Sequence, residues 1–176
     1  MALESELPNR FLGLVAASEP DWDAVYTEQL PRVYNFFRYR FGHVALAEDL
    51  TSRTFEKAWA ARHRYRRDLA GFATWLLSIA RNVAVDHLRS QRAHLPLEAA
   101  VDVAVKDTPH DECAHDSDIK RLAMLLEGLP AREQELVALK YGAEATNRAI
   151  AELTGLSESN VGTILHRVVQ TLRRDW

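Results

Sequence analysis

At 176 residues, with 47% hydrophobic and 27% charged residues, the chain has the make-up of a soluble globular protein of one or two small domains. No apolar run reaches the length of a membrane span, and the acidic start MALESELPNR lacks the basic-then-apolar order of a signal peptide. The lone Cys113 excludes an internal disulfide and fits a reducing cytoplasm. The formal net charge of −3 hides a division: residues 1–31 sum to −5, 32–92 to +7, 93–127 to −5 and 128–176 to zero. A basic block between acidic flanks suits a polyanion-binding surface. A solvated basic helix face would give the same charges.

Helical spacing runs through nearly the whole chain. Glycine is scarce and no run alternates as a strand does. The expected class is all-α, with two small helical domains joined by a flexible acidic linker and a helix-turn-helix in the second. Residues 1–19 form an N-terminal tail. DWDAVYTEQL opens a helix that Asp21 or Asp23 can cap. PRVYNFFRYRF starts the next, with Pro31 in its first turn, Val33, Phe36, Phe37 and Phe41 on one face, and Gly42 at its end. ALAEDLTSRTFEKAWAARHRY is a third helix, with Leu46, Leu50, Phe55 and Trp59 as inward candidates. After the polar loop RRDLAG, FATWLLSIARNVAVDHLRSQR is a fourth, apolar first and basic last. These elements make a first domain over 20–95. Residues 96–117 are acidic, lack aromatics and contain Pro109, and read as the linker. The second domain, 118–176, opens with IKRLAMLLEGLP, closed by Gly128 and Pro130, followed by AREQELVALKYG, ended by Gly142.

AIAELTGLSESNVGTILHR supplies the last two helices across one tight turn. A helix-turn-helix needs a small residue where the helices cross, which Ala151 provides, and a residue of positive φ in the turn, which Gly155 provides. Leu156 plugs the core and Ser157 caps the second helix. Val161, Ile164, Leu165, Val168 and Leu172 form its apolar stripe, leaving Ser159, Asn160, Thr163, His166, Arg167 and Gln170 outside, where a major groove can receive them. An ordinary αα-hairpin is the bland alternative. Gly162 lies mid-helix, where glycine costs about 1 kcal/mol relative to alanine.

Residues 62–92 interleave Arg62, Arg64, Arg66, Arg67, Arg81, Arg89 and Arg92 with Tyr65, Phe72 and Trp75. Cations among aromatics suit an unpaired nucleic-acid strand, because arginines follow phosphates and rings stack on exposed bases. Trp75 reads better as core.

AEDLTSRTFEKAW, FATWLLSIARNVAVDHLRSQR and LPAREQELVALKYGAEATNRAIAELTGLSESNVGTILHR occur in that order, with an acidic stretch before the third. The set resembles a bacterial RNA polymerase sigma factor of the extracytoplasmic-function (ECF) class over most of the chain. The resemblance implies a non-enzyme whose partners are core RNA polymerase, through its β′ and β subunits, promoter DNA and an anti-sigma factor, with no small-molecule substrate, cofactor or metal. By the same resemblance, Glu48, Asp49, Ser52, Arg53 and Glu56 face polymerase. Arg64, Tyr65, Arg66 and Arg67, with Asn82, Asp86 and Arg89, meet the melted minus-ten strand. Ser157, Ser159, Asn160, Thr163, His166 and Arg167 meet the minus-thirty-five duplex. Two places depart from the family. Ser52-Arg53 stand where a Gln and an acid are common, and Gly162 and Ile164 stand where Lys and Arg are common; the second change implies fewer phosphate contacts.

Two rival readings follow from the residues. A helix-turn-helix repressor or activator acting without polymerase explains 146–172 but leaves the basic, aromatic first domain idle. A metal enzyme would use HDECAHD, where His110, Cys113 and His115 lie near Asp111, Glu112 and Asp116. Their spacing matches no zinc pattern, and a solvated linker is the better reading.

Overall fold

The computed structural model describes residues 21–93 and 114–176. The expected tail, most of the expected linker and all of HDECAHD up to Cys113 lie outside the described residues. The described elements are helices α1 (Trp22–Phe41), α2 (Val44–Ala60), a 3-10 turn (Arg62–Arg64), α3 (Phe72–Ala93), α4 (Ala114–Glu127), α5 (Ala131–Val137), a π turn (Ala138–Gly142), α6 (Asn147–Thr154) and α7 (Glu158–Asp175). Among the described residues there is no strand.

Asp21 starts α1 by accepting backbone N–H bonds from Asp23 at 3.1 Å and Ala24 at 3.3 Å. Gly42, at φ 76°, ends it and donates its N–H to the Arg38 carbonyl. The two helices expected on either side of Pro31 are therefore one. Proline removes the N–H that the Thr27 carbonyl would accept, but Thr27 is exposed, so water can take that place. The first half of α1 is also held by packing: Trp22 meets Trp59 and Phe72 edge-on at 5.3 and 5.6 Å, and Tyr26 meets Phe55 at 4.8 Å. Two further expectations shift. Helix α4 begins four residues before the expected second-domain start, and the helix ending at Gly142 finishes in a π turn.

Val33, Phe36 and Phe37 of α1, Ala47, Leu50 and Ala58 of α2, and Leu76, Leu77, Ala80, Val83 and Ala84 of α3 form the buried core of the first helical domain. Each large apolar side chain buried there is worth about 1.5–3 kcal/mol. Thr51 and Thr54 sit in this core with their hydroxyls bonded to the carbonyls one turn back, at 2.6 and 2.7 Å, so burial leaves no donor unpaired. Leu136, Leu139, Ile150, Val161, Leu165 and Val168 play the same part in the second. The two cores are continuous through α1, which packs on α2 and α3 along one side and on α5 and the π turn along another.

Gly142 sets how close that second contact is. A Cβ there would lie 2.7 Å from the Asn35 carbonyl oxygen and 3.1 Å from the Phe36 Cα, a space no side chain can share with backbone. Around this contact, first-domain arginines donate to second-domain carbonyls. Arg32 Nε reaches Ala143 O at 2.8 Å and its Nη2 reaches Glu144 O at 3.4 Å. Arg40 Nη1 reaches Ala131 O at 3.3 Å. Arg81 bonds the Leu153 carbonyl and pairs with Glu135 at 2.9 Å in a largely buried setting. Burial pulls the Arg40 guanidinium below its ordinary pKa, with Glu135 opposing and the Arg81 cation reinforcing the shift.

Candidate polymerase and nucleic-acid interfaces

Helix α2 turns Ala47, Leu50, Thr51, Thr54 and Ala58 inward. The opposite face therefore presents all five residues expected to face polymerase. Glu48, Asp49, Ser52, Arg53 and Glu56 are exposed. Asp49 and Arg53 pair at 3.0 Å one turn apart, and the Ser52 hydroxyl lies 3.4 Å from a Glu56 carboxylate oxygen. Arg53 thus lies beside an acid of its own helix. Glu48, Ser52 and Glu56 also form one wall of a groove of about 460 Å³, whose other wall is Tyr26, Leu30, Pro31 and Tyr34 of α1. Trp59 does not turn inward as expected. It is 52% exposed at the end of α2, its ring edge-on to Trp22 and covered by the Arg62 guanidinium at 4.3 Å.

The basic block gathers at one end of the first domain. Arg64, Arg66 and Arg67 are exposed there. Tyr65 is half-buried: its ring lies 5.2 Å from both Phe72 and Trp75, and its hydroxyl donates to the Ala70 carbonyl at 3.4 Å. One side of that ring is therefore already used within the protein. Trp75 packs against the core, as the sequence suggested. Arg66 grips Asp68 through two 2.9 Å bonds, which holds its pKa above and the Asp68 pKa below their ordinary values. From this end, Asn82, Asp86 and Arg89 run down one exposed stripe of α3. Asp86 accepts from Lys57 of α2 at 3.0 Å, so a strut already fixes the middle of that stripe.

In the second domain, Gly155 takes φ 73° and donates its N–H to Ala151 O, and Ser157 accepts from the Asn160 N–H at 3.2 Å. Both local expectations for the turn hold for this reason. Val161, Leu165 and Val168 are buried, with Ile164 and Leu172 half-buried beside them. Ser157, Ser159, Asn160, Thr163, His166 and Arg167 are all exposed on the outer face of α7. Thr163 spends its hydroxyl on the Ser159 carbonyl at 3.0 Å, and Arg167 lies 4.0 Å from Glu133 of α5, a distant and exposed pair. Gly162 faces α6: a Cβ there would meet Asn147 Nδ2 at 3.5 Å. Neither Gly162 nor Ile164 opens fully to solvent, so the family's two cations are replaced here by residues turned partly toward the protein.

The sequence reading missed Arg32, Arg40 and Arg81 as the residues that join the halves. Their acceptors are mostly main-chain carbonyls, which leave no mark in a sequence. Among the described residues no group of three or more His, Cys, Asp or Glu side chains is placed to hold a metal.

Residues 25–94 match the family Sigma-70 region 2, and residues 119–172 match Sigma-70, region 4. The chain is 31% identical over 155 residues to the RNA polymerase sigma factor CarQ of Myxococcus xanthus, covering 86% of this chain and 87% of CarQ. It is 27% identical to the ECF RNA polymerase sigma factor SigM of Bacillus subtilis, over 86% of this chain and 92% of SigM. It is 31% identical to the ECF RNA polymerase sigma factor BldN of Streptomyces coelicolor, over 90% of this chain but only 61% of BldN. Its fold resembles that of the sigma factor RpoE solved with the anti-sigma factor NepR from Bartonella quintana, with a TM-score of 0.73 at 20% identity over 88% of this chain and 96% of that one. The two matches fall in the order in which the helices occur, one on each side of residues 95–118, and the chain belongs to the ECF class of RNA polymerase sigma factors, the subunits with which polymerase initiates transcription.

Proposed function

We propose that the chain docks on core RNA polymerase through the outer face of α2, captures an unpaired minus-ten strand at its basic, aromatic end, and reads a minus-thirty-five duplex with α7. The observation that carries this reading is the coexistence of three exposed polar faces on one chain. Each is backed by a buried face that already satisfies the core. The protein catalyses no bond change in this scheme. Opening of DNA is driven by capture, since each base stacked on a ring or guanidinium is worth about 1–3 kcal/mol. It works in the cytoplasm, alongside polymerase, and needs no cofactor. A repressor acting without polymerase would leave the basic end of the first domain without use.

Capture of both elements requires the halves to part. Elements at minus ten and minus thirty-five are roughly 25 steps apart, on the order of 85 Å of duplex. The contact through Gly142 and Arg81 holds α6 against α3. Residues 94–113 have a contour of up to about 70 Å, which permits a wide separation. Polymerase would favour the parted form, and an anti-sigma protein the closed one. The relative solved with its anti-sigma factor supports that second partner.

Run-off transcription by core polymerase on a promoter library, with and without the chain, tests the reading. The expected result is a subset of transcripts that appears only with the chain. An unchanged transcript set would overturn it.

A further inference from the structure

Leu69 is the most exposed large hydrophobic side chain among the described residues, at 74%. It sits at the tip of the loop between the 3-10 turn and α3, and it is not among the residues that pack on the core. The backbone beneath it is held. Its own N–H and that of Ala70 both donate to the Arg66 carbonyl, at 3.0 and 3.3 Å. The two-point Arg66–Asp68 pair closes the same turn from the side-chain layer. The Tyr65 hydroxyl fixes the far side through Ala70 O. An aliphatic side chain is thus presented outward on a preformed turn. Exposed cations, Arg64, Arg66 and Arg67, precede it, and the Tyr65–Phe72–Trp75 ring cluster flanks it.

Cations draw phosphates to this end, but they give a leucine no reason to be there. An apolar side chain on a rigid tip, set among phosphate-binding groups, has a known physical use: it enters a base step and takes the place of a stacking neighbour. We infer that Leu69 is the wedge that separates the first base pair of the minus-ten element, with the unpaired strand then passing to the aromatic and Asn82 surface. This rests on the strand-capture reading above and adds a residue and a step to it. The wedge acts on opening only, since a strand already unpaired needs no separation.

The test uses holoenzyme formed with wild type, Leu69→Ser or Leu69→Met, on one promoter that the wild type opens. That promoter is supplied both as duplex and as a template premelted over the minus-ten element. Opening is followed by 2-aminopurine fluorescence. The wedge predicts about tenfold slower opening of duplex by Leu69→Ser, near wild-type opening by Leu69→Met, and equal transcription by all three on the premelted template. Two results would overturn it: wild-type opening rates for Leu69→Ser, or a Leu69→Ser defect that persists undiminished on the premelted template. Matching melting temperatures of the free proteins keep misfolding out of the comparison. A wild-type chain that gives no polymerase-dependent opening at all would instead sink the capture reading itself.

Discussion

Gly162 and His87 show how single side chains follow from their neighbours. The space beside Gly162 admits a Cβ at ordinary contact distance from Asn147. Gly162→Ala should therefore stabilise the chain by about 0.5–1 kcal/mol, the helical cost of glycine, in urea unfolding. A loss would show that α6 and α7 pack more tightly than this contact implies. His87 of α3 has a buried Nε2 with no partner and meets the Phe41 ring at 5.5 Å. Burial and the Arg53 cation push its pKa below the usual value, with Asp49 opposing. The unfolded chain then takes up this proton at a higher pH than the folded one. Stability should fall as pH drops through about 6.5, and this contribution should be flat above it. His87→Phe should shrink the drop in melting temperature between about pH 7.5 and about pH 5.5; an identical drop would assign the acid sensitivity to other groups. At this scale the Ser157 cap and the Gly155 turn were legible because both are local chemistry. Trp59 was not, since its place on α2 suits burial and only the arrival of Trp22 and Arg62 decides that it closes a cluster from outside.

Among the elements, α2 and α7 were readable from spacing alone, because one face of each had to be apolar and the other was left for partners. Asp49→Arg removes the pair with Arg53 and sets like charges one turn apart, an exposed change worth about 0.5 kcal/mol or less. The fold should survive while pull-down of core polymerase weakens severalfold; undiminished pull-down would remove α2 from the docking surface. On α7, Asn160→Ala should change which upstream elements are used. Arg167→Ala should weaken all of them alike and reduce the salt slope by about one, since its present pairing with Glu133 is long and exposed. A promoter-variant panel separates the two, and unchanged promoter choice by Asn160→Ala would return α7 to the status of a packed hairpin. Helix α1 was misread as two because Pro31 is a valid local stop signal. Contacts of Trp22 and Tyr26 with distant residues, invisible to any local reading, carry the helix through it.

For the whole molecule, the ordered motifs and the hidden basic block made the family legible, while the closed contact between the halves was not. Its core is a shape requirement at Gly142 and a set of bonds to carbonyls. Gly142→Leu should drive α1 and the π turn apart, lower the melting temperature and raise the radius of gyration measured by small-angle X-ray scattering. The double variant Arg32→Ala, Arg81→Ala should open the chain in the same direction without adding volume. Unaltered scattering by both would mean that apolar burial along α1 alone holds the halves together.

Hydrogen bonds to main-chain oxygen also divide the burden of heredity unequally. Substituting Ala131, Ala143 or Leu153 with another non-proline residue leaves each carbonyl where it was, so drift in the promoter-reading half erases none of these acceptors. On the other side, three arginine codons have no such freedom, and Glu135 and Gly142 are the side-chain and shape exceptions in the half that receives them. A lineage could thus exchange or diverge its second half, and with it the promoters it serves, and still inherit the same closure.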